Sequence, residues 1–320
     1  MAGVRLAEMV ASLSLATDLG LGQPQEHALR QTEIATRLAS AAELTEDEKA
    51  AAFYVSLLAW VGCVADSHEM ARWFGDDTQL RAASFEVDRA GMPMMRFLLG
   101  HLAAGGSSLQ RASTVGRFLA GGFRDVMSSM ASHCQTTSGI ADRLGLAAEV
   151  QRALPQALER WDGKGGPLGL AGEHIERVMR VVHIANEAEV FHRIGGLKAA
   201  VDMLRERKGR EFDPTLVDLS VIHAAEIFSD LDAVDSWSIV IEGCAALDRE
   251  MDEAELRTAL ETFADYADVK SPWFLGHSRA VAALVAEAAR RARLPEADVE
   301  LVERAGFVCR LGTISVSTGT

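Results

Sequence analysis

Two segments of this chain match each other without a gap at an offset of 250 residues. Each has a histidine that opens an Ala-, Leu- and Val-rich helix, then a short break, then an apolar helix that ends at glycine. The matched residues are Asp18, His27, Leu44, Glu46 and Gly62 in the first segment and Asp268, His277, Leu294, Glu296 and Gly312 in the second. Such a repeat indicates that one supersecondary unit is present twice, and the fold must accommodate both copies.

The composition is typical of a helical globular protein with a sizeable core. Hydrophobic residues make up 48% of the 320 residues and charged residues 24%, and the chain has only 7 prolines. Together with long runs of Ala, Leu, Glu and Arg, these proportions favour a mostly α-helical protein. The net charge of −14 argues against direct nucleic-acid binding, because surfaces that bind nucleic acid are basic.

Cysteine use and hydropathy predict a cytoplasmic protein. The four cysteines, Cys63, Cys134, Cys244 and Cys309, show no Cys-x-x-Cys spacing, so we interpret them as free thiols in a reducing compartment. The first residues alternate apolar and polar side chains at helical spacing, unlike a signal peptide. No stretch approaches about 18 uninterrupted apolar residues, so we expect no membrane-spanning segment.

Helical periodicity extends over most of the chain. Thr45 and Glu48 form a capping-box pattern at the start of a helix that is predicted to end at Gly62. Trp237–Ile241 is the one β-branched run that favours a strand. Helices are expected over residues 5–18, 27–42, 45–62, 91–104, 107–131, 138–144, 147–159, 173–191, 196–207, 214–229, 254–266, 277–293 and 296–310.

Residues 161–167 read Trp-Asp-Gly-Lys-Gly-Gly-Pro, which predicts a sharply turned loop because three glycines and a proline fall within five residues. With Glu159 and Arg160 before it, this segment resembles the loop of the HD-GYP family, where a Glu-Arg-Trp-Asp-Gly run precedes a Gly-Tyr-Pro turn. Residues 169–173 and 209–214 match the same family in order and spacing. Residues 268–278 are similar to the opening of that domain.

The resemblance implies an all-α fold and a domain organisation. It implies an HD-GYP-like helical bundle over residues 1–229, a connector over 230–253, and an incomplete second HD-like repeat over 254–320. In the active family, His and Asp side chains on several helices hold two or three metal ions. These ions activate water to attack the phosphodiester of cyclic di-GMP or a related nucleotide.

Most ligand positions of that family carry other residues in this chain. His27 matches the family's first histidine, and His133 matches the isolated histidine before the loop. The remaining positions hold side chains that are poor or impossible metal ligands, and the Tyr of the Gly-Tyr-Pro turn is Gly166. The replacements are Ala59 and Trp60 for the His-Asp pair, Ala157 and Leu158 for the paired histidines, Asn186 for the downstream aspartate, and Cys309 and Arg310 in the second copy.

These replacements predict a protein that keeps the fold and has lost hydrolytic chemistry. We therefore expect no cofactor and a non-hydrolytic sensory module, resembling the N-terminal part of LuxR-type transcriptional regulators. The expected partners are a small-molecule effector and a second copy of the chain, without nucleic acid or membrane. Candidate ligand-binding residues are His27, His133, Arg160, Asp162 and Lys164.

Three alternatives stay open at this point. The loop can have a structural role only, with a conformation kept from the family that Arg160 and Asp162 stabilise by pairing with their neighbours. The chain can also be a dimerisation unit without a pocket. It can instead be a phosphodiesterase that has rebuilt an Fe, Mn or Mg site from His27, His68, His133, Asp66 and Glu187.

Other polar residues are given structural roles. Asp66 or Ser67 is expected to cap a helix. His183 and His192 are interpreted as incidental, and Glu187 and Glu189 are expected on a solvated face.

Overall fold

A computed structural model describes residues 3–102, 108–231, 236–242 and 249–318. Within these ranges every regular element is helical, and β-type pairing is limited to two isolated bridges, Arg5 with Glu250 and Lys208 with Phe212. The predicted all-α fold class is therefore confirmed. The predicted strand at 237–241 is wrong, because this segment lies within a helix over Ser236–Glu242.

Sixteen α-helices are described, joined by short 3₁₀ turns and one π-helical turn over Phe118–Gly122. The longest, α10, has non-helical backbone at Gly195 and Gly196, where it kinks. The helices are α1 (Leu6–Gly20), α2 (His27–Ala41), α3 (Glu46–Leu58), α4 (Ser67–Phe74), α5 (Asp77–Ser84), α6 (Gly91–His101), α7 (Ser108–Arg117), α8 (Phe123–Arg143), α9 (Ala148–Ala153), α10 (Arg177–Arg207), α11 (Pro214–Ile222), α12 (Ala224–Ile227), α13 (Ser236–Glu242), α14 (Glu253–Val269), α15 (His277–Arg291) and α16 (Glu296–Val308).

Local capping chemistry explains two of these helix starts. At α3, Thr45 Oγ1 accepts from the Glu48 amide at 3.3 Å, while the Glu48 carboxylate accepts from the Thr45 amide at 2.9 Å. The predicted capping box is therefore present. At α11, Asp213 accepts from the Thr215 amide at 2.8 Å, and Pro214 occupies the first turn, where its missing N–H costs nothing.

The sequence repeat is also a repeat of structure. Helices α2 and α3 cover residues 27–41 and 46–58, and helices α15 and α16 cover 277–291 and 296–308, so all four bounds differ by 250. In each copy an aspartate anchors the first helix. Asp18 accepts from the Ala28 amide at 3.1 Å, and Asp268 accepts from the Ser278 amide at 2.8 Å.

The two copies differ in what covers them. In the first copy, α10 packs on α2 and α3, and Ile34 is 1% exposed. In the second copy, Phe307 is buried with Ala264 and Ala282, but Leu284, which corresponds to Ile34, is 69% exposed. The sequence predicts that the first copy or a second subunit covers the apolar face of the second copy, which carries Val281, Leu284, Val285 and Phe307. For Leu284, cover by a second subunit stays a prediction.

The segment Glu46–Phe74, which spans α3 and α4, is apolar enough to cross a membrane by length and composition alone. In the folded chain, 78% of its apolar window is buried against other helices. Burial of this kind is expected for the core helix of a globular protein, and α3 accordingly packs on both α2 and α10.

A buried ionic network joins α2 to α10. Glu189 on α10 accepts hydrogen bonds from His27 Nδ1 at 2.5 Å and from Arg30 Nε at 2.8 Å, and Arg193 Nε lies at 3.3 Å. Burial alone would raise the pKa of Glu189, but His27 and Arg30 lower it to about 2. The expected solvated face for Glu189 is therefore wrong, because the side chain is 2% exposed and has three charged partners.

Gly62 marks the closest approach of the turn after α3 to α8. Its amide donates to Thr137 Oγ1 at 3.1 Å. A Cβ atom at this position would lie 2.2 Å from the His133 carbonyl oxygen, which is backbone and cannot rotate away. At the equivalent position in the second copy, a Cβ on Gly312 would meet nothing within 4 Å.

We expect Gly62→Ala to lower the free energy of unfolding by about 1–3 kcal/mol, because the methyl group overpacks the contact with α8. Gly312→Ala is the matched control and should change it by less than about 0.5 kcal/mol. Urea unfolding followed by circular dichroism measures both. Equal effects of the two substitutions would contradict the close approach at Gly62.

We expect Glu189→Gln to lower the free energy of unfolding by about 3–5 kcal/mol at pH 7, because it leaves buried cations unpaired. The pKa of Glu189 falls from 4.5 in the unfolded chain to about 2 in the folded chain, so its contribution is lost as the pH falls through that window. The free energy of unfolding of the Glu189→Gln variant should not show this decrease at acid pH.

Unfolding at pH 7 and at pH 3 tests the effect of Glu189→Gln, with the exposed Glu46→Gln as control. A Glu189→Gln protein as stable as the control at pH 7 would show that the network does not hold α2 to α10.

Candidate functional site

The loop over residues 161–167 is held by the carboxylate of Glu159. This side chain accepts hydrogen bonds from three consecutive amides, those of Leu168 at 2.6 Å, Gly169 at 3.2 Å and Leu170 at 2.9 Å. Three amide donors on one buried carboxylate fix the course of the chain after the loop. Gly165 is needed here, because a Cβ atom would lie 2.5 Å from the Leu158 carbonyl oxygen.

Arg160 braces the same loop from the other side. It donates to Asp88 at 2.9 Å and to Asp162 at 3.2 Å, and it lies 3.3 Å from Glu211. The predicted pairing of Arg160 with Asp162 is therefore present. Asp162 also accepts from the Lys164 amide at 3.1 Å, so the Lys164 backbone is fixed while its side chain is 69% exposed.

A cavity of about 750 Å³, here named the outer cavity, lies beneath this loop. Helices α6, α8 and α10 form its other walls. Residues at the lost ligand positions line it: Trp60, Ala157, Leu158 and Asn186. Apolar side chains from α6, the π-helical turn and α8 complete the lining: Met94, Met95, Leu98, Phe118, Leu119, Val126 and Met130. The outer cavity is therefore largely apolar, with charged residues at its edge. The alternative of a dimerisation unit without a pocket is wrong, because the structure contains this cavity.

An arginine–carboxylate cluster occupies the floor of the outer cavity. Glu187 accepts from Arg89 at 2.5 Å and lies 3.4 Å from Arg207 Nη1. Arg89 also stacks on Trp60, with 5.2 Å from its guanidinium carbon to the ring centroid. The expected solvated face for Glu187 is wrong, because its side chain is 3% exposed.

His183 also lines the outer cavity, and its Nε2 lies 3.1 Å from the Ala157 carbonyl oxygen. Burial lowers the pKa of His183 to about 4, so its ring is neutral at pH 7. Sequence reasoning missed Arg89 and His183, although His183 lies three residues before Asn186 on α10, on the face that meets the cavity.

The structure separates the predicted site residues. Arg160 and Lys164 line the outer cavity. His27 lies in the network with Glu189, and His133 is buried behind Trp60. Asp162 pairs with the loop as described above.

The residues of the rebuilt metal site are not brought together either. His68 is exposed on α4. Asp66 pairs with Arg81 at 2.5 Å and makes no side-chain cap of α4, so the predicted helix cap is wrong for this residue.

The donor set does not fit a two-metal centre. Across the described residues, no three His, Cys, Asp or Glu side chains converge in a geometry that could hold a metal ion. His27 is bound to Glu189 and Asn186, and Glu187 is paired with two arginines. Metals such as Fe, Mn or Mg require several converging oxygen and nitrogen donors, so we assign no chemical step to a metal at this site.

Comparison with known proteins relates the whole chain to phosphodiesterases. The chain is 26% identical over 316 residues to the 3′3′-cGAMP-specific phosphodiesterase 3 of Vibrio cholerae, and the match covers 98% of this chain and 69% of the relative. A crystal structure of a cyclic GMP-AMP-specific phosphodiesterase of V. cholerae superposes with a TM-score of 0.75. That match has 24% identity and covers 99% of this chain and 73% of the solved one.

These relatives correct four expectations drawn from the sequence. The non-hydrolytic regulator, the preference for a protein without enzyme activity and the link to transcription regulation are wrong, because the relative and the protein of the same fold are both named phosphodiesterases. The expectation of no cofactor is also wrong for the family, since HD phosphodiesterases depend on metals. These expectations were wrong because they assumed that replacing the family's metal ligands removes its hydrolytic activity.

The family assignment rests on the segment that carries the loop. A model of the HD domain family matches residues 124–216, which include α8, the loop over 161–167, and α10. These are the elements that enclose the outer cavity. The match, the all-helical fold and the relationship over the whole chain agree with one another. The predicted resemblance to HD-domain phosphohydrolases is therefore confirmed.

Proposed function

We propose that this chain binds a cyclic dinucleotide in the outer cavity and hydrolyses one of its phosphodiester bonds. The observation that carries the proposal is the match to a cGAMP-specific phosphodiesterase over 98% of the chain, which includes every element around the cavity. The cavity of about 750 Å³ has the size of pockets that enclose small-molecule ligands.

Fixed guanidinium groups and apolar surface in the outer cavity suit an anionic ligand with aromatic parts. Arg89, Arg160 and Lys164 line the cavity together with three carboxylates, those of Glu159, Glu187 and Glu211, and the guanidinium groups of the two arginines are held in place by carboxylates. Fixed guanidinium groups suit phosphate oxygens because their N–H donors are planar and preorganised. The methionines and Phe118 on the opposite wall offer flat or adaptable apolar surface for a base.

Lys164 is the cation most able to move toward a ligand. Its ammonium group lies 3.5 Å from Asp162, and its side chain is 69% exposed at the mouth of the outer cavity. Its backbone amide is fixed by the same aspartate. An exposed lysine of this kind adds affinity through long-range attraction and can follow the phosphate as it enters.

Glu187 is the group we assign to accept a proton from the attacking water. Burial raises the pKa of its carboxyl, which makes the ionised form more basic than an exposed glutamate. It lies on the floor of the outer cavity beside Arg89, so a phosphate bound by Arg89 would be close to it. Arg89 would also stabilise charge that develops on the phosphate oxygens.

We also propose that the protein works in the cytoplasm. Cys63, Cys134 and Cys309 are free thiols. Burial raises the pKa of Cys63 to about 12 and of Cys134 to about 11, so both stay protonated and unreactive. Buried thiols of this kind are compatible with a reducing compartment.

Turnover of 3′,3′-cGAMP and cyclic di-GMP by the purified chain, with and without Mn²⁺ or Fe²⁺, tests the proposed function. We expect a linear dinucleotide product from at least one substrate. Glu187→Gln should lower the turnover number by about 100-fold or more while substrate still binds. Circular dichroism checks that this variant is folded. Absence of product under every metal condition would refute the proposal.

Lys164→Ala should raise the KM of the cyclic dinucleotide by about 3- to 10-fold and leave kcat nearly unchanged, because it removes one exposed charge from the rim. The effect should shrink as salt concentration rises. Lys198→Ala is the matched control, since Lys198 is also an exposed lysine with an aspartate partner and does not line the cavity. Similar kinetics of both variants would contradict a role for Lys164 in binding.

A further inference from the structure

A second cavity of about 180 Å³, here named the inner cavity, lies behind Trp60. Trp60, Arg89 and Leu158 are among the residues that line both cavities, so the inner cavity lies next to the outer one, between α6 and α8. Its lining is mostly apolar, with the aromatic rings of Trp60, Phe85 and Phe97, and the ion-paired Asp66 and Arg81 also border it. His133, on α8, contributes its imidazole to the same wall.

His133 is the unpaired member of the three buried histidines in the described chain. His27 contacts Glu189 and Asn186, and His183 contacts the Ala157 carbonyl. His133 is 2% exposed, and neither Nδ1 nor Nε2 has a hydrogen-bond partner among the described residues. Buried polar groups in native proteins are almost always hydrogen-bonded, so two orphaned atoms on one ring indicate a missing partner.

The surroundings restrict what this partner can be. Burial lowers the pKa of His133 to about 4, and although the nearby Ala59 carbonyl favours the protonated ring, it does not reach hydrogen-bond geometry. The imidazole is therefore neutral, with one N–H donor and one acceptor nitrogen. A neutral ring carries no charge that would attract a phosphate, and the Arg81 guanidinium at the same cavity is already paired with Asp66 and Asp77. With no convergent donors beside it among the described residues, the ring does not hold a metal.

We propose that the inner cavity is a base-recognition subsite, in which His133 hydrogen-bonds the polar edge of a purine base of the dinucleotide. A purine offers donors and acceptors on its edge and a flat face that can pack on Trp60 or on Phe85, whose rings meet edge to face with their centroids 6.2 Å apart. Arg89 lies at the junction of the two cavities, so the attached phosphate would remain beside it. The inference rests on the proposed function for the identity of the ligand, but it concerns binding alone.

His133→Leu tests the subsite by removing both ring nitrogens at similar volume. Isothermal titration calorimetry with 3′,3′-cGAMP and with guanosine and adenosine should show about a 10- to 100-fold weaker affinity for the dinucleotide and for one nucleoside. The thermal midpoint without ligand should not fall, because the substitution removes an unsatisfied polar group. His192→Leu is the matched control, since His192 stacks on Phe228 outside both cavities.

Unchanged affinity of folded His133→Leu would overturn the subsite. A ligand-induced shift of the His133 ring ¹⁵N resonances in the wild-type protein gives an independent test if the variant fails to fold. No shift at saturating 3′,3′-cGAMP would show that buried water, and not a base, satisfies the ring, and this result would also overturn the proposal.

The binding measurements separate this inference from the proposed function. They are made with EDTA present and without turnover, so a protein that binds through His133 but forms no product would refute only the hydrolysis. A protein that hydrolyses the dinucleotide with His133-independent affinity would refute only the subsite.

Discussion

The buried carboxylate of Glu189 sets the geometry on which the site depends. His27 and Arg30 of α2 and Arg193 of α10 all contact this one carboxylate. The contacts lie in the core, where leaving a charge unpaired is costly. Because α10 is fixed in this way, the side chains that precede Glu189 by two and six residues, Glu187 and His183, reach the outer cavity. The wall that α10 contributes to the outer cavity is thus a consequence of how two core helices are joined.

In the proposed function, guanidinium groups and not metal ions bind the phosphate of the ligand. Trp60 and Leu158 fill ligand positions with apolar surface, while Arg89 brings a cation to the same floor and Glu187 holds it. An arginine can bind and neutralise a phosphate, but it does not itself supply an activated water. This division explains why we assign proton transfer to a carboxylate and binding to the arginines.

Local features were predictable, and distant pairings were not. The helix starts of the repeat, the cap at Thr45 and the turned loop over 161–167 follow from periodicity and turn chemistry within a few residues, whereas the helix predicted to end at Gly62 ends at Leu58. The pairing of Arg89 with Glu187 joins positions 98 residues apart, and nothing in either local segment indicates it. Comparing single ligand positions with the family also predicted the wrong function. It identified the metal ligands that are replaced, but it gave no information on the cavity that the replacing side chains line.

A crystal structure with a phosphorothioate analogue of 3′,3′-cGAMP tests the central claim, that the outer cavity holds a cyclic dinucleotide, most directly. The anomalous signal of sulfur locates the phosphate without ambiguity. The account predicts a sulfur peak beside Arg89 and Lys164, with one base extending past Trp60 toward His133. Sulfur peaks only outside the cavity, or a cavity that stays filled by water at saturating analogue, would contradict it.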